Sequence, residues 1–106
     1  MFSVQTSNGG GVHRVRLVGE FDLAAVEEAR SALISPGPRG ADLEIDLRPL
    51  TFIDSSGVGV LVAICQENER SARTIRIIPG PEGVQRVFEI LGLAERLPFS
   101  GRPAVP

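Results

Sequence analysis

Two hydrophobic periods meet near the middle of this chain, and few architectures accommodate both. Leu43, Ile45 and Leu47 alternate with Asp42, Glu44 and Asp46, which is the period of a strand with one apolar and one acidic face. From Ser55 to about Ser71 the pattern becomes helical, apolar at first (Val58, Val60, Leu61, Val62, Ile64) and then polar (Gln66, Glu67, Asn68, Glu69, Arg70). The β-branched content of the first half would also permit a strand, but the length and the polar tail favour a helix. A one-sided strand followed by such a helix requires a sheet with helices packed against it.

The junction between the two is Thr51-Phe52-Ile53-Asp54-Ser55-Ser56-Gly57-Val58-Gly59-Val60. Pro49 blocks regular pairing and feeds a loop that runs to Asp54. Asp54 fits a helix N-cap, since its carboxylate can accept from the free N–H groups two and three residues on. Ser55 and Ser56 then occupy the first turn. Gly57 and Gly59 each cost a helix about 1 kcal/mol relative to Ala, so the pair needs a compensating reason, and close approach of another backbone is the one expected.

The remaining segments complete an alternation of strands and helices. Phe2, Val4 and Thr6 alternate with Ser3 and Gln5 as a short edge strand, residues 1–9 including the turn that begins at Asn8. Asn8-Gly9-Gly10-Gly11 turns the chain into a second strand, Val12 to Val18, so that the two form a hairpin. His13 shares a face with Val15 and Leu17 and is expected as a partly exposed residue near the turn. Gly19-Glu20-Phe21-Asp22 leads out of that strand, and Asp22 caps an amphipathic helix over 23–33 with Val26, Ala29 and Leu33 on one face. Ser35-Pro36-Gly37-Pro38 ends it. Thr74 to Ile78 is a short strand. Val84, Val87, Phe88 and Leu91 recur at helical spacing until Gly92, Leu93 to Phe99 adds a last extended piece, and 100–106 reads as a disordered tail.

The predicted fold is therefore a single α/β domain over residues 1–106, a mixed sheet of four to five strands with an N-terminal hairpin, packed by about three helices. A hydrophobic fraction of 42% with 23% charged residues is ordinary for a soluble globular protein, and a net charge of −2 offers no basic footprint for nucleic acid or an anionic membrane surface. All eleven basic residues are Arg. One Cys and one His, Cys65 and His13, exclude an internal disulfide and a Cys/His metal cluster. The N-terminus has no secretory pattern, and the run Val58 to Cys65 is far shorter than the ~20 residues of a membrane span, so a cytoplasmic location is expected.

Ile45-Asp46-Leu47 followed by Phe52-Ile53-Asp54-Ser55-Ser56-Gly57-Val58-Gly59-Val60-Leu61 closely resembles the signature of STAS domains, in particular the bacterial anti-sigma-factor antagonists. Gly19-Glu20-Phe21-Asp22 is similar to that family's early turn, and Val84 to Leu93 to its late helix, although a further C-terminal helix common in the family is absent here. The resemblance implies a phosphorylatable serine at Ser55, with Ser56 as second choice. It implies partner switching in transcription: the bare protein binds an anti-sigma factor that is also a serine kinase, freeing a sigma factor. Phosphorylation by that kinase with its ATP releases it, and a metal-dependent serine phosphatase resets it. The chain would be ligand and substrate with no cofactor of its own. Asp54 would orient Ser55, and Asp22, Asp54, Ser56, Gly57, Val58 and Gly59 would form the partner surface, with Val58 and Val60 packing against the partner.

Two other readings of the same residues compete. A serine nucleophile needs an adjacent base, and the sole His lies on a distant strand, no Lys exists, and Ser55-Ser56-Gly57-Val58-Gly59 is not Gly-x-Ser-x-Gly. The glycines likewise lack the downstream Lys of a P-loop. Alternatively Asp54-Ser55-Ser56-Gly57 is only a cap and a packing site, in a ligand-binding or scaffold module of another regulatory or transport complex without phospho-switching.

Overall fold

The computed structural model describes residues 1–34, 40–69, 71 and 73–101. Five strands form one mixed sheet: β1 (Phe2–Gly9), β2 (Val12–Phe21), β3 (Asp42–Asp46), β4 (Leu50–Ile53) and β5 (Ile75–Ile78). The order is β1-β2-β3-β5, with β4 also paired to β2. Among the described residues only the β1–β2 hairpin is antiparallel; β3 and β4 run parallel to β2, and β5 runs parallel to β3. The helices are α1 (Val26–Ile34), entered through a single 3₁₀ turn at Leu23–Ala25, α2 (Ser55–Asn68) and α3 (Glu82–Ile90). The Ser35-Pro36-Gly37-Pro38 stop lies outside the described residues.

The alternation seen in the sequence sorts the sheet into two faces. Val15, Leu17, Phe21, Leu43, Ile45, Leu47 and Ile77 are buried and meet Ala29, Leu33, Leu61, Ile64, Val84 and Phe88 from the helices. The opposite face carries charge. Arg14 pairs with Glu44, and Asp46, whose side chain is fully buried, holds Arg16 at 3.2 Å and Arg48 at 3.0 Å. Burial works against ionisation of Asp46, yet the hydrogen bonds from the Arg48 side chain and backbone, with the charges of Arg48 and Arg16, keep its carboxyl below the usual carboxylate range.

Several local expectations are corrected. The segment after Pro49 is not a loop: Leu50–Ile53 is a strand beside the far end of β2, with Glu20 opposite Phe52 and Phe21 opposite Ile53. This lengthens β2 to Phe21: its pairing with β3 ends at Arg16, its pairing with β4 begins at Gly19, and a register shift between Gly19 and Glu20 interrupts the latter. Gly19 is required there. Its φ is 95°, and a Cβ would stand 2.0 Å from the Met1 carbonyl oxygen. Residues 93–98 form turns rather than an extended piece, with Phe99 bridging Ile77 and stacking edge-on against Phe88 at 5.1 Å. Ser100 is tied to the sheet as well, its N–H donating to Ile77 O at 2.8 Å, while residues 102–106 lie outside the described ones.

His13 is the other departure. It is buried rather than partly exposed, with Nδ1 2.6 Å from Asn8 Oδ1 and Nε2 without a hydrogen-bond partner among the described residues. Its place on the apolar face of β2 outweighs the polarity of its ring.

Candidate functional site

The site is built where two parallel strands end side by side. β2 stops at Phe21 and β4 at Ile53, which are register partners, and the backbone N–H of Asp54 donates to Phe21 O at 3.3 Å. Asp22 and Asp54 are therefore the next residues on neighbouring strands, whose spacing is about 4.8 Å. Both take the same extended backbone, φ/ψ of −114/−170 and −118/−174, and each caps the helical turn that follows. Asp22 Oδ1 accepts from Ala24 N at 3.1 Å; Asp54 Oδ1 accepts from Ser56 N at 2.9 Å and Gly57 N at 3.3 Å. Two acidic caps thus stand together at the carboxyl ends of parallel strands, the usual place for binding in sheets of this kind.

Ser55 is the first residue of α2 and its side chain is exposed. Ser56 is half-buried. The carboxylate of Asp54 engages the N–H groups of the first turn, so the Ser55 hydroxyl projects beside a charge and does not share those donors.

The two glycines have different fates. A Cβ on Gly57 would lie 2.8 Å from Phe21 O, 2.8 Å from Ile53 Cγ1 and 2.9 Å from Phe21 Cγ, so α2 reaches the strand ends only because this residue has no side chain. Close approach was the expected reason and holds at Gly57. It does not hold at Gly59, which is exposed with nothing within 4 Å of its would-be Cβ. Val58 and Val60 are 3% and 8% exposed and face the core, so neither offers the apolar contact to a partner that the sequence suggested. The face of α2 that is open runs from Ser55 to Gly59, one turn on, and continues through half-buried Val62 and Ala63 to Gln66.

Sequence reasoning missed Leu23. It is 75% exposed in the 3₁₀ turn after Asp22, which packs against α2, and so places an apolar side chain at the rim of the acidic caps. Beside it a shallow groove is lined by Phe2, Glu20, Asp22, Ala24 and Glu28. The helical period does not disclose it, since Leu23 stands three residues before Val26, at the spacing of neighbours on one face.

The one histidine of the chain does not stand near Ser55. His13 sits at the hairpin end of β2, eight residues from Phe21, or about 26 Å at the rise of a strand. Among the described residues no group of three or more His, Cys, Asp or Glu side chains is placed to hold a metal ion, and no helix is long and apolar enough to cross a membrane.

A single small α/β domain with a five-stranded mixed sheet and three helices is the fold of a STAS domain, and this chain belongs to that family, which its residues 3–103 match. Its relatives are anti-sigma factor antagonists. The anti-sigma F factor antagonist of Lysinibacillus sphaericus is 39% identical over 82 residues, 74% of this chain and 69% of that protein. The anti-sigma-B factor antagonist of Bacillus subtilis is 28% identical over 89 residues, 84% and 82% of the two chains. Among solved structures, the anti-sigma factor antagonist SpoIIAA in its unphosphorylated form is similar with a TM-score of 0.71 at 27% identity, covering 94% of this chain and 90% of that one. A phosphorylated SpoIIAA from Bacillus gives a TM-score of 0.66 at 26% identity, with 96% and 93% covered.

Proposed function

We propose that this protein is an anti-sigma-factor antagonist whose bare form binds an anti-sigma factor with serine-kinase activity, and that phosphorylation of Ser55 ends that binding. The observation that carries the reading is the exposed Ser55 side chain on the first turn of α2 beside the capping carboxylate of Asp54. A phosphoserine adds roughly −1.5 to −2 charges. Because Asp54 already takes the nearest N–H groups, the phosphate charge adds to those of Asp54 and Asp22 with little local compensation. The caps that hold α2 remain in place. What changes is a surface patch that becomes strongly anionic, so a partner suited to the bare serine is repelled without refolding of the domain.

The docking surface consists of Asp22, Leu23, Asp54, Ser55, Ser56 and Gly59, with Gly57 and Val58 beneath it as support. Leu23 supplies apolar contact, and Gly59 admits a close-lying partner backbone. On this reading the chain is ligand and substrate, not catalyst, and acts in the cytoplasm; a serine phosphatase restores the bare form. The relatives' names and the phosphorylated state of SpoIIAA support it.

The test is incubation with the candidate anti-sigma kinase and ATP, followed by mass spectrometry and a binding assay. One phosphate on Ser55, its loss in Ser55→Ala, and weakened binding by Ser55→Asp are expected. Labelling undiminished in Ser55→Ala would remove Ser55 from the proposal. Tight binding insensitive to phosphorylation would instead point to a scaffold module without a switch.

A further inference from the structure

The two edges of the sheet are treated differently. The outer side of β5 is covered: Ile77 N–H donates to Pro98 O at 2.9 Å and Ser100 N–H donates to Ile77 O at 2.8 Å. β1 is paired along its whole length with β2, from Phe2 opposite Gly19 to Gly9 opposite Val12, and among the described residues no backbone hydrogen bond reaches its other side. The bond from Glu20 N–H to Met1 O, at 3.0 Å, fixes the phase of the hairpin. Residues 1, 3, 5 and 7 exchange bonds with β2, so the N–H and C=O groups of Phe2, Val4, Thr6 and Asn8 point away from the sheet.

Exposed edges are normally blunted by charge, proline or a bulge. Phe2-Ser3-Val4-Gln5-Thr6-Ser7-Asn8-Gly9 contains no charged residue and no proline, and its register with β2 has no interruption. The charges of this sheet lie on its other strands: Arg14, Arg16 and Glu20 on β2, Asp42, Glu44 and Asp46 on β3, Arg76 on β5. We propose that the free edge of β1 pairs with the same edge of a second copy of this chain, antiparallel about a two-fold axis through Gln5.

The choice of a second copy over an unrelated strand rests on self-complementarity, which a two-fold interface demands. In the register with Gln5 opposite itself, Val4 lies opposite Thr6 of the second copy and Phe2 opposite Asn8. Every outward N–H and C=O of Phe2, Val4, Thr6 and Asn8 then finds a partner, β-branched side chains face each other, and no charges oppose. Strand pairing alone buries less than the roughly 1,200 Å² of a standard interface, so the dimer is weak and appears in the high micromolar range. Phe2, at one end of this edge, also lines the groove beside Asp22, but the axis at Gln5 lies three residues further along β1, and the mass of the chain by itself is read without the anti-sigma factor, so the test stands apart from the proposed switch.

Sedimentation velocity from about 5 µM to 1 mM should show the 11.3 kDa chain giving way to a species of twice that mass. Gln5→Glu places like charges face to face at the axis while setting a carboxylate opposite Arg16 within each monomer, so the fold is kept and dimerisation weakens about fivefold. Thr6→Pro removes an N–H that the monomer does not use and abolishes the dimer. Gln5→Cys in a Cys65→Ala background should form a disulfide-linked dimer on mild oxidation. A chain that stays monomeric at 1 mM overturns the proposal. So does a dimer unaffected by both Gln5→Glu and Thr6→Pro in variants whose circular dichroism matches the parent. A dimer that forms while Gln5→Cys fails to cross-link overturns the two-fold register.

Discussion

Gly57 and Gly59 stand two residues apart on one helix, and replacing each with Ala should move stability in opposite directions. At Gly57 the new methyl would meet Phe21 O and Ile53 Cγ1 at 2.8 Å and Phe21 Cγ at 2.9 Å. The carbonyl is the unyielding neighbour, since Phe21 is held in the β2–β4 pairing and its oxygen already accepts from Asp54 N. Overpacking of this kind costs about 1–3 kcal/mol, and the constraint from backbone places it in the upper part of that range. The gain in helix propensity returns about 1 kcal/mol. Gly57→Ala is therefore destabilised by about 1–2 kcal/mol. Gly59 meets nothing within 4 Å, so Gly59→Ala keeps the propensity gain and is stabilised by about 1 kcal/mol. The two variants should differ in melting temperature by roughly 8–12 °C, at about 4 °C per kcal/mol for a domain of this size. With no Trp or Tyr in the chain, urea and thermal unfolding followed by far-ultraviolet circular dichroism is the suitable assay. A Gly57→Ala protein as stable as the parent, or a destabilised Gly59→Ala, would refute the packing described. Binding adds a second readout: Gly59→Ala should bind the anti-sigma factor more weakly although it is the more stable protein.

Replacing Asp54 with Ala removes the acceptor for Ser56 N and Gly57 N and should cost about 1 kcal/mol in urea unfolding, whereas Asp54→Asn, which keeps a capping oxygen, should cost much less. Asp46→Asn loses charge-assisted bonds to Arg48 and Arg16 and should be destabilised by about 2 kcal/mol at pH 7. Because the folded carboxyl titrates below its unfolded value near 3.9, that contribution is complete above about pH 4 and fades as pH falls through the folded pKa; the gap between parent and Asp46→Asn should stay constant from pH 7 to 5 and close below 4. Burial, and secondarily Glu69, push the Cys65 thiol up, so alkylation at pH 7 should be slow in the folded protein and accelerate in urea. Leu23→Glu should leave unfolding unchanged, as the side chain is largely exposed, yet weaken binding of the anti-sigma factor at least tenfold; unchanged binding would remove Leu23 from the docking surface.

Much of this protein is determined by contacts close along the chain, and such contacts can be followed in the sequence. The caps at Asp22 and Asp54 act on N–H groups two or three residues away, and the alternation of Leu43, Ile45 and Leu47 is a property of a single strand. The membership of Ser55 in the first turn of α2 follows from the same local rules. Tertiary structure decided the rest. Leu50–Ile53 became a strand because β2 runs on past the end of its pairing with β3 and offers it a partner, which no pattern within four residues discloses. Gly57 and Gly59 carry the same propensity cost, and only the position of Phe21 separates the one that is needed from the one that is free. Val58 turned inward and Leu23 outward according to what packs beside them. The acidic pair itself is a product of the fold: Asp22 and Asp54 lie 32 positions apart in the chain and meet because their strands end in register.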